Sequence, residues 1–188
     1  YTAGGKAGFR PDHAVTVYTQ ILKRLYPHIP VVVGGIEASL RRLTHYDYWS
    51  DSLHPSVLVE SGADLLIYGM GERVVQQVAR AMRNGYNAKL LRKINQVAFV
   101  ADKSYVERLD PATTKFLHSF EECQQSKRAF AANFVEEETL SNQKEPTTTL
   151  VEQVGEKYIV VTPPNTTLST EELDHSFDLP YERAPHPR

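Results

Sequence analysis

The chain is poor in cysteine, and this limits the chemistry that it can carry. Its 188 residues include one cysteine, Cys123, two methionines and one tryptophan. A single thiol cannot form an internal disulfide, and such scarcity is typical of the reducing cytoplasm, where we expect this protein to reside. One thiolate also cannot hold an iron–sulfur cluster, which needs several. We therefore expect neither a cluster nor another metal site in this chain.

Long apolar runs and an excess of one charge are missing too. The mean hydropathy is −0.40, and no apolar run approaches the roughly 20 residues of a membrane-spanning helix, so we expect no membrane span. The 21 basic and 23 acidic side chains give a net charge of −2, which provides no general attraction to nucleic acid. The start resembles no signal peptide and has no initiator methionine, so we expect a piece excised from a longer protein.

Apolar runs of strand length alternate with helical patterns in the first half of the chain. The runs at 31–34 and 64–68 are apolar without alternation, as in strands that are buried on both faces of a parallel sheet. Residues 11–26 and 71–84 flank them with helical spacing. This alternation predicts βαβ units of an α/β fold, in which the two strands are adjacent and parallel and the helices pack on the sheet.

The pattern changes after residue 86, and we divide the chain there. Residues 1–86 are predicted to form the α/β region, with a glycine-rich loop at 1–10, and residues 87–188 an irregular extension of mixed strands and helices. Within the extension we predict strands at 97–100 and 157–162, a helix over 115–134, a polar loop at 136–146, a helix capped by Ser169 and Glu172, and an extended proline-rich tail.

Glycine-containing turns follow both apolar strands. In open α/β sheets, ligands bind at the carboxyl ends of strands, where glycine lets the backbone approach and helix starts attract anions. The alternative is that these glycines only provide the tight turn between a strand and the following helix. Neither turn matches GxGxxG or GxxxxGK, so a nucleotide site has little support. The candidate ligand-binding residues in these turns are Gly34, Gly35, Gly69, Gly71 and Glu72.

The segment RRLTHYDYWSD, residues 41–51, is the densest cluster of charged and aromatic residues. Such mixtures suit ligand recognition, because aromatic rings offer contact area and charged groups fix orientation. We expect an arginine to meet an anionic group there, with hydrogen bonds from a histidine and an acid. Replacing His45 and Asp47 by alanine should then reduce turnover at least about tenfold without unfolding. The alternative is a packing loop with arginine–aspartate pairs. The candidates are Arg41, Arg42, His45, Asp47 and Trp49.

The other histidines show no spacing typical of metal ligands. His45 and His54 are nine residues apart, which does not indicate a shared metal site. Four of the remaining five are expected at the surface: His13, His28, His118 and His175.

Three segments closely resemble the YgiQ family of radical SAM proteins. They are GGKAGFRPDHA at 4–14, the stretch from VVVGGIEASL to LLIYGMGE at 31–72, and EKYIVVTPPNTTLSTEELDHSFDLPYERAPHP at 156–187. The resemblance implies an accessory amino-terminal domain of a radical SAM enzyme with unknown substrate. In the family, a C-x3-C-x2-C motif that holds a [4Fe-4S] cluster and S-adenosylmethionine follows the last segment. That motif would lie beyond Arg188, so we expect this chain to be inactive alone and to have the radical SAM core of the same polypeptide as its partner.

The resemblance also implies a partial Rossmann-like sheet of the cobalamin-binding type, with parallel strands and flanking helices. The glycine turns occupy the positions that edge the cofactor in that fold. The sequence has no DxHxxG motif with a lower-ligand histidine, which argues against cobalamin. The early strands of such a sheet would be absent, so we expect an uncovered edge and self-association. The alternatives are a corrinoid- or nucleotide-binding module and a purely structural or oligomerisation domain.

Overall fold

The computed structural model describes residues 8, 11–83, 85 and 88–184. The predictions for Asn84, for the last four residues and for the glycine-rich start other than Gly8 therefore concern residues outside the described ones. The helices are α1 (Ala14–Leu25), α2 (Gly35–Leu40), α3 (Val57–Ser61), α4 (Glu72–Arg83), α5 (Ala88–Leu91), α6 (Lys103–Val106), α7 (Phe120–Gln125), α8 (Lys127–Ser141) and α9 (Thr170–Phe177). The strands are β1 (Val32–Val33), β2 (His45–Asp47), β3 (Ser52–His54), β4 (Leu65–Ile67), β5 (Val97–Ala101), β6 (Thr114–Phe116), β7 (Thr149–Val154) and β8 (Lys157–Val161).

Six strands form one sheet, and the other two form a hairpin. The sheet has the order β1-β4-β5-β8-β7-β6, while β2 and β3 pair with each other. Strands β1 and β4 are parallel, with Val32 opposite Leu65 and Val33 opposite Leu66. This confirms the predicted pairing of segments 31–34 and 64–68.

Apolar side chains cover both faces of the sheet. Along β4, Leu66 belongs to one buried cluster, whereas Leu65 and Ile67 belong to the other, as the alternation of side chains along a strand requires. Helices α1, α2, α3 and α8 contribute to the first face, and α4, α5 and α6 to the second. The helical residues that contribute include Val15, Ala38, Val57, Leu58 and Leu140 on the first face and Val74, Val78, Leu91 and Val106 on the second.

The α/β class with a sheet flanked by helices is confirmed, but the sheet is mixed and the Rossmann-like detail is not confirmed. Strands β6 and β7 are parallel, whereas β4–β5, β5–β8 and β7–β8 are antiparallel. The apolar run at 97–100 has the composition of a strand buried on both faces, and that composition does not determine strand direction.

Strands from both sides of residue 86 share this sheet. Strands β1 and β4 precede that position, and the other four strands of the sheet follow it. The division into residues 1–86 and 87–188 stays a prediction. Within the described part of the chain, no helix is long and apolar enough to cross a membrane.

Candidate functional site

The structure brings six of the ten predicted site residues to two places. Arg42 and Gly69 line a cavity of about 340 Å³, which we call the edge cavity. Arg41, His45, Asp47 and Trp49 lie instead around the β2–β3 hairpin. The edge cavity is lined in part by Ser39, Arg42, Tyr68, Gln96, Asn165 and Leu168.

The edge cavity lies where the sheet presents the carboxyl end of β4. Because β5 is antiparallel to both neighbours, its first residues lie beside the last residues of β4 and β8. Tyr68 and Gly69 after β4, Gln96 before β5 and Pro164 after β8 therefore meet around one opening. This is the edge at which α/β sheets bind ligands.

Gln96 fixes the turn that follows β4. Its Nε2 donates to the carbonyl oxygens of Tyr68 at 2.7 Å and Met70 at 2.6 Å, and its Oε1 accepts from the backbone N–H of Asn165 at 3.2 Å. Gly69 has φ +65°, and a Cβ there would lie 3.3 Å from Gln96 Nε2. Gly69 is therefore required by the backbone, and no sequence pattern indicated the role of Gln96.

The other predicted glycines do not line the edge cavity. A Cβ at Gly34 would lie 3.2 Å from the carbonyl oxygen of Ile67, and one at Gly71 would lie 3.4 Å from Ile67 Cγ2. Gly35 has φ +83° in the left-handed region. The close approach at Gly34 and the left-handed backbone at Gly35 are compatible with the alternative considered for them, in which glycine only shapes the turn. Glu72, the first residue of α4, lines a separate cleft of about 410 Å³ with Arg73 and His175.

Arg42 reaches the edge cavity through a fixed set of contacts. Its Nη1 donates to the Ser39 carbonyl oxygen at 2.6 Å, its Nη2 pairs with Glu137 of α8, and its guanidinium carbon lies 4.8 Å from the centre of the Tyr68 ring. Its Nε is buried and has no hydrogen-bond partner. The amide Nδ2 of Asn165 is also buried without a partner. Two unsatisfied donors thus belong to residues that line this cavity.

A salt bridge holds one wall of the edge cavity. Arg73 of α4 donates from Nε and Nη2 to the two carboxylate oxygens of Glu172 at 3.0 and 2.6 Å, and from Nη1 to the Thr166 carbonyl oxygen at 3.3 Å. Glu172 also caps α9 with Ser169, so the predicted capping box is confirmed. The pair joins α4 to the segment 165–172, and no pattern in the sequence indicated it.

The second place is a cluster of three histidines, His13, His45 and His54. The ring centres of His13 and His54 are 6.3 Å apart, and those of His45 and His54 are 6.0 Å apart. Arg41 Nη1 donates to His13 Nδ1 at 2.6 Å, so this nitrogen must be the unprotonated one. Sequence reasoning missed this cluster because His13 is brought in by α1, far along the chain from the hairpin. Among the described residues, no group of three or more potential ligands could hold a metal ion.

Asp47 organises the hairpin from the inside. Its side chain is only 1% exposed. Its Oδ2 accepts hydrogen bonds from the backbone N–H of Ser50 at 2.9 Å and from Ser50 Oγ at 2.8 Å, which lower the pKa of the Asp47 carboxyl. Its Oδ1 lies 3.7 Å from Arg41 Nη2 and 3.8 Å from His13 Nε2. These contacts match the packing alternative considered for the segment 41–51.

A chain of hydrogen bonds continues from Ser50 to the surface. Ser50 Oγ lies 3.0 Å from His54 Nε2, and His54 Nδ1 lies 2.7 Å from Glu60 Oε1. Hydroxyl, imidazole and carboxylate follow each other as in an activated nucleophile. However, Ser50 Oγ also lies 2.8 Å from the Asp47 carboxylate, and a hydroxyl has only one proton to donate. The arrangement is therefore a hydrogen-bond network that stabilises the hairpin.

The aromatic residues of the segment lie at the surface. Trp49 is 54% exposed; its ring stacks on Tyr48 with a centre-to-centre distance of 4.1 Å and meets the His13 ring edge-on at 5.8 Å. The ring of His45 is more enclosed, and burial lowers its pKa.

A buried glutamate connects the hairpin to the sheet. Glu152 of β7 is 1% exposed, and its Oε2 accepts a hydrogen bond from the backbone N–H of Thr44 at 2.9 Å. Its Oε1 has no partner. Burial raises the pKa of Glu152 to about 7, so this carboxyl retains much of its protonated form near neutral pH.

Comparisons with known proteins extend the sequence resemblance. A family model described as "Radical SAM N-terminal" matches residues 1–188. A "UPF0313 protein" of Porphyromonas gingivalis is 48% identical over 188 residues, and one of Bacteroides thetaiotaomicron is 45% identical over 199 residues. Each comparison covers 100% of this chain, but only 29% and 32% of the relative. The chain thus spans about three tenths of the length of these curated relatives. No solved structure matches it significantly.

Proposed function

Because this chain belongs to the Radical SAM N-terminal family, we propose that it is an accessory α/β domain of a radical SAM protein of the YgiQ type. In this role it holds a part of the substrate that does not react, next to the radical SAM core of the same polypeptide. The family match over the whole chain supports the general role.

The edge cavity is the observation that carries the proposal. One of its walls is formed by residues 164–168, within the segment 156–187 that resembles the stretch leading into the core of YgiQ proteins. The cavity therefore lies close in sequence to the position where that core would follow. Its volume of about 340 Å³ is within the usual range for a small-molecule site.

The residues of this chain do not fit an iron–sulfur cluster. Cys123 is the only cysteine in the sequence, it is 2% exposed, and burial raises the pKa of its thiol to about 11. Cluster ligands are thiolates, and several are needed. We therefore assign the cluster and S-adenosylmethionine to residues of the longer protein outside this chain, in the reducing cytoplasm. The proposed role of this chain is to bind and orient a ligand.

A corrinoid fits this chain less well than a small substrate does. A cavity of about 340 Å³ is far smaller than a corrinoid with its nucleotide tail. At Gly34, in one of the turns that would edge such a cofactor, a Cβ would lie 3.2 Å from the carbonyl oxygen of Ile67. A corrinoid-binding module is therefore not our proposal.

A second candidate role, as a docking or oligomerisation domain, is favoured by the outer surface of α1. Tyr18, Leu22 and Leu25 are 49%, 44% and 60% exposed there. An exposed apolar surface of this kind is typical of a protein interface. We take its partner to be the radical SAM core of the same polypeptide, which would cover it in the full-length protein.

Anaerobic reconstitution of the full-length protein tests the proposed function. We expect the full-length protein to bind a [4Fe-4S] cluster and to release 5′-deoxyadenosine from S-adenosylmethionine when a reductant is added. The 188-residue chain alone should show only background iron and sulfide. Stoichiometric cluster in the chain alone, or no S-adenosylmethionine cleavage by the full-length protein, would contradict the proposal.

A further inference from the structure

The lining of the edge cavity includes two basic side chains and no acidic one. Its described residues include two arginines, Arg42 and Arg73, but no aspartate or glutamate. The acidic partners of these arginines, Glu137 and Glu172, approach from outside the lining. Each arginine is ion-paired, so the lining has little net charge; an anion is favoured over a cation because the charged groups that line the cavity are N–H donors and not carboxylate oxygens.

The unsatisfied polar atoms of the lining are all donors. Arg42 uses Nη1 for the Ser39 carbonyl oxygen and Nη2 for Glu137, which leaves Nε without an acceptor. Asn165 leaves Nδ2 without an acceptor. Buried donors that lack acceptors are costly, and an acceptor oxygen of a ligand that reached them would offset this cost. An arginine presents its N–H groups in a fixed plane that matches carboxylate and phosphate oxygens.

The remaining walls suit an apolar body. The ring of Tyr68, the side chains of Met70 and Leu168 and the ring of Pro164 surround the opening. The Tyr68 hydroxyl is already used, because it donates to the Thr162 carbonyl oxygen at 2.6 Å. Tyr68 is therefore available to a ligand only through its apolar ring. The same ring also fixes the plane of Arg42.

We propose that the edge cavity binds a small organic anion, with its carboxylate or phosphate group at Arg42 and Asn165 and its flat apolar body against Met70 and Leu168. The inference deepens the proposed function and rests on it in one respect, namely that this anion represents the substrate class of the radical SAM core. The site itself is defined by residues of this chain alone.

Titration calorimetry on the full-length protein, without S-adenosylmethionine, tests the site with three probes. Benzoate and phenyl phosphate carry the two anionic groups on the same ring, and benzyl alcohol is a neutral probe of similar shape. We expect at least one anion to bind at least tenfold more tightly than benzyl alcohol. The comparison of benzoate with phenyl phosphate shows which group the cavity prefers.

Two substitutions assign the binding to the edge cavity. Asn165→Asp replaces the donor with a negative acceptor of nearly the same shape and should weaken anion binding at least tenfold. Arg42→Lys keeps the charge but removes the planar donor and should weaken it severalfold. The matched control is Arg92→Lys, because Arg92 also stacks on aromatic rings and donates to a backbone carbonyl oxygen, at Val100, away from the cavity.

Equal affinity for benzyl alcohol and both anions would overturn the proposal, as would unchanged anion binding by Asn165→Asp. Each variant is first compared with the wild type in its thermal denaturation midpoint; if Arg42→Lys does not fold, Asn165→Asp and Asn165→Ala decide. Cluster content and S-adenosylmethionine cleavage are measured on the same preparations. Absence of anion binding by the wild type with intact cleavage would contradict this site alone, whereas anion binding without cleavage would contradict only the proposed function.

Discussion

At the scale of single residues, the buried carboxyl of Glu152 ties the stability of the chain to pH. Its pKa is raised from 4.5 to about 7 in the folded state, chiefly by burial. The folded state therefore holds this proton more tightly than the unfolded state does. The resulting stabilisation is fully present below pH 4.5 and is lost as the pH rises through about 7, a difference of roughly 3 kcal/mol.

We expect the free energy of unfolding of the wild type to fall between pH 5 and pH 8.5 more steeply than that of Glu152→Gln. Glutamine keeps the shape and the hydrogen-bond acceptor for Thr44 but has no charge to bury. Urea denaturation at a series of pH values measures the difference. Glu138→Gln, at an exposed position of α8, is the control and should follow the wild type. Parallel pH profiles for the wild type and Glu152→Gln would show that the carboxyl is not buried as described.

Two acidic residues of the hairpin, Asp47 and Asp51, differ in burial and are therefore expected to differ in their effect on stability. Asp47 is buried and accepts two hydrogen bonds from Ser50, whereas Asp51 is exposed and accepts one from the Tyr46 hydroxyl. We expect Asp47→Asn to lower the thermal denaturation midpoint clearly, since it removes the charge that faces Arg41 and His13. Asp51→Asn should change the midpoint little. Fluorescence of Trp49, the single tryptophan, monitors the hairpin directly.

Equal midpoints for Asp47→Asn and the wild type would contradict a structural role of Asp47. They would instead favour the role predicted from the sequence, in which His45 and Asp47 act on a ligand. The burial of Asp47 explains why the double alanine variant is a poor test of that role. A loss of turnover would then be accompanied by damage to the hairpin.

At the scale of elements, α9 is held to the rest of the molecule by few contacts. None of its described residues is buried, and Arg73–Glu172 is its salt bridge to α4. We expect Arg73→Gln to accelerate amide hydrogen exchange at residues 170–177 severalfold while exchange in β4 and β5 stays unchanged. The control is Arg80→Gln on the same helix, whose guanidinium bonds only to Gln76 within the described contacts. Uniform acceleration across the chain, or none in α9, would contradict this local role.

Elements with strong local signals could be predicted from the sequence. The two apolar runs that became β1 and β4, and the amphipathic patterns that became α1 and α4, have the composition and spacing that local physics requires. The turn at Gly62, which ends α3 with φ +75°, and the capping box of α9 are similarly local. Each of these features depends on residues that are neighbours in the sequence.

Elements that depend on distant contacts or competing caps were predicted less well. The helix predicted over 115–134 is in fact β6, α7 and α8, because Ser119 and Ser126 each accept a backbone hydrogen bond and begin a new helix. The loop predicted at 136–146 is helical as far as Ser141, since α8 continues there. The partners of Arg42 and Arg73, Glu137 and Glu172, lie about a hundred residues away in sequence, beyond the reach of any local pattern.

At the scale of the whole molecule, the sheet ends in β1 on one side and β6 on the other. Strand β1 has only two residues, so its backbone offers a short edge for pairing with another chain. The apolar surface of α1 provides more area, because Tyr26 and Ile29 extend it and are 55% and 56% exposed. The self-association expected from the sequence therefore has a more specific basis in α1 than in the sheet edge.

We expect the 188-residue chain alone to self-associate through α1, because nothing in its described part covers that surface. Light scattering at increasing concentration should show species larger than the monomer.

The double variant Leu22→Glu/Leu25→Glu should shift the chain toward the monomer, since each introduced carboxylate would be desolvated in an apolar interface. The matched control, Phe134→Glu/Val135→Glu, alters two residues of α8 that are 57% and 61% exposed and should leave association unchanged. In the full-length protein the same α1 variant should instead loosen the proposed contact with the radical SAM core, seen as faster hydrogen exchange in α1. A wild-type chain that is monomeric at high concentration, or a control that dissociates as much as the α1 variant, would show that α1 is not the contact surface.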